Sequence, residues 1–120
     1  MTLPLGSKER LALADFVNQV RERYDGQVLA TLLYGSQARG EAAPDSDLDL
    51  LVITAVADPF LHDSLRSLGA RVSLEHNVLL SVLTISQDDW ANMAAQRFSL
   101  WQNIHAEGVE LTPELASSMG

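Results

Sequence analysis

Val28-Leu29-Ala30-Thr31-Leu32-Leu33-Tyr34-Gly35-Ser36, separated by ten residues from Asp47-Leu48-Asp49-Leu50-Leu51-Val52-Ile53, decides how this chain is read. An apolar run ends in a small turn carrying a hydroxyl, and two carboxylates open the next apolar run. Both runs have the length and composition of buried strands. Glycine lets a bound group approach the backbone closely. A helix starting after Gly35-Ser36 offers unpaired N–H groups to an anion such as phosphate. On a strand, residues i and i+2 face the same way, so the Asp47 and Asp49 side chains share a face. At about 5 Å and an effective dielectric near 20, two such charges repel by roughly 3 kcal/mol. A hard divalent cation answers that repulsion, because Mg2+ takes oxygen ligands and shares them with phosphates. Each half also has a plainer reading: Gly-Ser as a simple turn, Asp-Leu-Asp as a solvated acidic hairpin.

The flanking sequence alternates helices and strands. Ser7 is placed as the cap of a helix running to about Tyr24. Its buried stripe is Leu13, Phe16, Val17, Val20 and Tyr24, and Lys8, Glu9, Arg21, Glu22 and Arg23 lie outside it. Asp25-Gly26 marks a turn. Gly35 to Arg39 starts a short helix that Gly40 ends, and Glu41 to Ser46 forms a loop. Asp58-Pro59 opens a helix whose stripe, Leu61, Leu65, Leu68 and Val72, runs through Gly69 to about His76, with Asn77 as a left-handed stop; a break at Gly69 is the alternative. Val78 to Ile85 is apolar on both faces and reads as a central strand. Ser86 to Asp89 resembles a capping box opening a helix with Trp90. Ser99 is read as the cap of a last helix, which Gly108 stops before a short edge strand, Val109 to Leu111. The expected fold class is α/β (α+β): a mixed sheet of three or four strands with helices packed on it, in one domain over residues 1–112 with a flexible tail over 113–120.

Composition narrows the function. The 120 residues are 47% apolar and 20% charged, and 16 acidic against 8 basic side chains give a formal charge of -8. A surface this acidic repels the backbone of long nucleic acid and suits a basic partner. With no cysteine, disulfides, thiolate metal sites and cysteine nucleophiles are excluded. The first residues lack the basic and apolar regions of a signal peptide, and no apolar run approaches bilayer length. A cytoplasmic location without membrane contact is expected.

Taken together, Tyr34-Gly35-Ser36-Gln37-Ala38-Arg39-Gly40 and Ser46-Asp47-Leu48-Asp49-Leu50-Leu51-Val52 resemble the Gly-Ser-x10-Asp-x-Asp signature of nucleotidyltransferases of the DNA polymerase beta superfamily. The chain looks most like the minimal nucleotidyltransferases, many of which are antitoxins partnered with HEPN-domain RNases. The ending, Leu100 to Val109, is similar to their closing helix. The resemblance implies that Gly35 and Ser36 hold a nucleoside triphosphate, that Asp47 and Asp49 bind Mg2+, and that AMP passes from ATP to a protein acceptor. The implied acceptor is a HEPN-type toxin in a hetero-oligomer. Arg39, on the helix face of Ser36, reaches either a phosphate or one of Asp45 and Asp47.

One element of the family pattern is missing. Active members carry a third acid on the next core strand, and Val78 to Ile85 has neither Asp nor Glu. Ser81, the polar residue nearest the centre of that strand, is the candidate for the position. Glu75 falls on the preceding helix, and Asp88 and Asp89 read as helix-start acids. Two further readings follow: an antitoxin that acts by docking, and a transferase acting on a small molecule such as an aminoglycoside. His62, His76 and His105 have no histidine partner at helical spacing and read as surface or boundary residues. Trp90 and Trp101 read as packing residues.

Overall fold

The structure, a computed structural model, describes residues 6–35 and 47–112. The expected short helix and loop between Ser36 and Ser46, with Ser36 and Arg39, lie outside the described residues, as does the expected tail.

Helix α1 spans Ser7–Arg23 and buries Ala12, Leu13, Phe16, Val17 and Val20. Gly6, not Ser7, occupies the cap position, so no side chain caps this helix. Glu9 departs from the expected solvent face and is buried. Its carboxylate folds back against Gly6 at the helix start, where the dipole favours an anion. A turn at Asp25-Gly26, with Gly26 at φ 80°, leads into β1, Val28–Tyr34. Strand β2 is Leu48–Thr54, and Asp47 stands just before it.

Helix α2, Pro59–His76, follows the pattern read from the sequence. Asp58 accepts a hydrogen bond from the Phe60 amide, Pro59 takes the first turn, and Asn77 stops the helix at φ 53°, ψ 44°. There is no break at Gly69. A Cβ there would lie 2.6 Å from Val82 Cγ2, so glycine lets the helix press directly onto the sheet. Ser73 adds a polar link: its hydroxyl donates to the Gly69 carbonyl at 2.7 Å and accepts from the Leu80 amide at 2.9 Å.

Strand β3 is Leu80–Ser86. Ser86 caps α3, Gln87–Ala95, by accepting from the Asp89 amide at 3.2 Å. Helix α4, Ser99–Glu107, is preceded by Phe98 at its cap position, so Ser99 does not cap it. Strand β4, Val109–Glu110, pairs with β1.

The sheet order is β3-β2-β1-β4. Strand β1 runs antiparallel to β2 and β4, and β2 runs parallel to β3. The expected mixed sheet is present, with four strands. The placement of β3 is a correction: it is an edge strand, and β2 is the central, most buried one. Apolar residues on both faces of β3 reflect helices on either side of the sheet, which an edge strand needs as much as a central one.

Alternation along β2 divides the core. Leu48, Leu50 and Val52 face α1 and α2 in the larger cluster, with Phe16, Leu65 and Leu68. Leu51 and Ile53 face a smaller cluster with Ile104, Trp90, Leu100 and Tyr34. Trp90 therefore packs as read. Trp101 stacks on His105, with ring centroids 4.7 Å apart.

The other histidines have partners. His62 Nε2 lies 2.9 Å from the hydroxyl of buried Thr54. His76 Nε2 lies 2.9 Å from Asp15 Oδ2 and joins α2 to α1. Burial works to raise the Asp15 carboxyl, but hydrogen bonds from His76 and Gln19, with the charges of His76 and Arg23, outweigh it and hold it below the usual value.

Gly69→Ala sets helix propensity against packing. Alanine gains about 1 kcal/mol in a helix interior, while overpacking costs about 1–3 kcal/mol. Val82 is β-branched and yields little, so a net loss of about 1 kcal/mol is expected as a lower urea midpoint with unchanged m-value. A midpoint at or above that of the unsubstituted protein contradicts the close approach.

Candidate functional site

The site lies where β1 ends and β2 begins. Antiparallel pairing sets Tyr34 opposite Asp49, and parallel pairing sets Asp49 beside Ser81. Registered partners point to the same face. Tyr34, Asp49 and Ser81 therefore form a row across three strands, on the face that carries α3 and α4. Those helices are nine residues each, and the smaller core covers the sheet around Leu51 and Ile53. Asp47 is exposed, and Asp49 and Ser81 are half-buried.

Gly35 meets Asp49 directly. Its φ is 78°, and a Cβ on it would lie 2.5 Å from Asp49 Oδ2. Both the backbone conformation and the space thus call for glycine. Two of the sequence-predicted acids and the turn glycine come to one place. Ser36 and Arg39 lie outside the described residues.

The electrostatics match the crowding. The Asp49 carboxyl is raised from its ordinary value, first by burial and then by the negative charge of Asp47. The Tyr34 hydroxyl is pushed up by burial and by the charge of Asp49. Ser81 Oγ donates to Asp47 Oδ2 at 3.3 Å. Among the described residues no basic side chain pairs with either acid. Two carboxylates held together with a hydroxyl as donor are a hard oxygen set, which fits a divalent cation of the Mg2+ type.

The nucleotidyltransferase domain family matches residues 13–92. The chain belongs to that family. The matched segment contains β1, β2, β3, both acids, Gly35 and Ser81. A relative from Methanocaldococcus jannaschii that carries the name of a protein adenylyltransferase is 29% identical over 80 residues, 67% of this chain and 76% of the relative. A solved structure named as a minimal nucleotidyltransferase is 28% identical, with a TM-score of 0.56, covering 88% of this chain and 100% of the other. The same fold recurs in a toxin-antitoxin structure with AMP-PNP, at 14% identity and a TM-score of 0.56, covering 87% of this chain and 80% of that one.

As a nucleotidyltransferase domain, the chain puts Ser81 beside the acid pair, where the resemblance leads one to expect a third carboxylate. Glu75 is on α2, as read, and Asp88 and Asp89 lie in the first turn of α3. Glu75 instead joins Asp15 and His76, their ligating atoms all within 4.8 Å of one another. Sequence reasoning did not find Tyr34 as the cross-strand neighbour of Asp49. The signal was its place as the last strand residue before the glycine turn.

The raised Asp49 carboxyl has a consequence for stability. A carboxyl whose folded-state pKa exceeds its unfolded value contributes stability below the unfolded value, and that contribution is lost as pH rises through the folded one. Ionised Asp49 therefore weakens the fold at neutral pH. Metal-free Asp49→Asn is expected to melt above the unsubstituted protein at about pH 7, the advantage shrinking as pH falls toward about 4, near the reference carboxylate pKa values. Calorimetric melts across that range check it, and equal or lower melting of the variant at neutral pH contradicts it.

Proposed function

We propose that this nucleotidyltransferase domain transfers AMP from Mg-ATP to a protein acceptor, a HEPN-type RNase toxin, and thereby silences it as an antitoxin. The observation that carries this reading is the meeting of Asp47, Asp49 and the Gly35 turn at one end of the sheet. The acceptor and the nucleotide follow the similar proteins: a relative named for protein adenylylation, and a toxin-antitoxin structure with AMP-PNP. The acidic surface suits a basic protein partner better than nucleic acid.

In this reading Asp47 and Asp49 are the catalytic acids and the Mg2+ ligands. Bound Mg2+ supplies neutralisation of the charge that develops on the phosphates. Gly35 leaves room for the triphosphate against the backbone, and Ser36 and Arg39 hold it. The acceptor hydroxyl oxygen bonds to the α-phosphorus. The bond from that phosphorus to the bridging oxygen breaks, pyrophosphate leaves, and the hydroxyl proton passes to solvent water. Holding acceptor and nucleotide in line provides the rate gain of proximity.

Ser81 motivates a second reading, in which the chain neutralises its partner by docking alone. A hydroxyl adds no charge and is a poor base, so a site with two acids favours binding over turnover. Incubation of the complex with ATP labelled at the α-phosphate separates the two. Transfer is expected with Mg2+, lost in EDTA and reduced at least about 100-fold in Asp47→Asn, in line with loss of a charge-stabilising group. Absence of label, with neutralisation intact in both Asp47→Asn and Asp49→Asn, leaves the docking reading.

A further inference from the structure

We infer that Ser81 is a positioning residue of the acid pair: its hydroxyl fixes the Asp47 carboxylate so that the remaining oxygens of Asp47 and Asp49 face a single cation. This rests on the nucleotide-binding reading above and deepens it.

Asp47 needs such a tether. It precedes β2 and is exposed, so the strand ladder does not hold its side chain. The chain around it is nevertheless pinned to β3, because the Leu48 amide donates to the Leu79 carbonyl at 3.0 Å. That bond brings Asp47 alongside the start of β3. Ser81 comes next on that side, in register with Asp49, and its Oγ reaches back to Asp47 Oδ2 at 3.3 Å. A single hydroxyl thus touches one acid from a position level with the other. One oxygen of Asp47 is engaged as an acceptor, which favours one orientation of the carboxylate.

The height of Ser81 is itself fixed from the opposite face of the sheet. Its neighbour Val82 lies under Gly69 of α2, and Leu80 donates its amide to Ser73 of the same helix. A donor held this firmly lowers the entropy that Asp47 loses when a cation binds. It adds no charge, so its effect falls on metal-dependent binding and leaves metal-free nucleotide binding alone.

Calorimetric titration of the full chain with ATP tests this, with Mg2+ and separately with EDTA, on the unsubstituted protein, Ser81→Ala and Ser81→Thr. Ser81→Ala is expected to weaken Mg-ATP binding about fivefold, the scale of one ordinary net hydrogen bond. Its metal-free ATP affinity is expected to be unchanged, and Ser81→Thr restores the Mg-ATP value by keeping the hydroxyl. Unchanged Mg-ATP affinity in Ser81→Ala, or an equal loss with and without metal, overturns the positioning role. Lack of Mg2+-dependent ATP binding in the unsubstituted protein overturns the nucleotide-site reading itself, and the positioning role falls with it.

Discussion

Two negative charges held together at the start of a buried strand are the constraint around which this molecule is arranged. The two-residue period of β2 puts Asp49 on one face, where Asp47 just before the strand is reached by Ser81, and sends Leu48 and Leu50 into the core on the other. Neither set can move without the other. A register slip by one residue would place the acids in the apolar core and expose the leucines. Burial of β2 between two strands therefore sets where the acids stand, and their repulsion is a load that the rest of the core supports.

The surrounding parts relate to that load. Gly35 gives up a side chain so that β1 can end against the Asp49 carboxylate. Ser81 offers a hydrogen bond where the resemblance leads one to expect a further acid. Short helices α3 and α4 pack on Leu51 and Ile53, further along β2 from the acids. Burial and the charge of Asp47 both work against ionised Asp49, so the strand that holds it there is stable in spite of that carboxylate.

Much of this was legible from the sequence, because much of it is local. Helix α2 was readable from its cap at Asp58, its apolar stripe and its left-handed stop at Asn77, all of which act over a few residues. Strands β1 and β2 announced themselves as apolar runs with clear ends. Non-local features were hidden. A run apolar on both faces does not say which strands flank it, so β3 read as central although it lies at the edge. Glu9 looked exposed by helical spacing, yet its side chain doubles back over the helix start. The partner of His76 is 61 residues away at Asp15, and no spacing rule connects them. Ser81 could be singled out only as the polar residue nearest the middle of its strand, and its role beside Asp49 emerged from the parallel pairing.

The bare contact at Gly69 has a mechanical consequence. Because Gly69 brings no side chain to Val82, the backbone of α2 rests directly on β3, and the two are packed without slack at that point. A side chain added at that point of α2 would therefore press on the strand that carries Ser81, although it stands on the opposite face of the sheet.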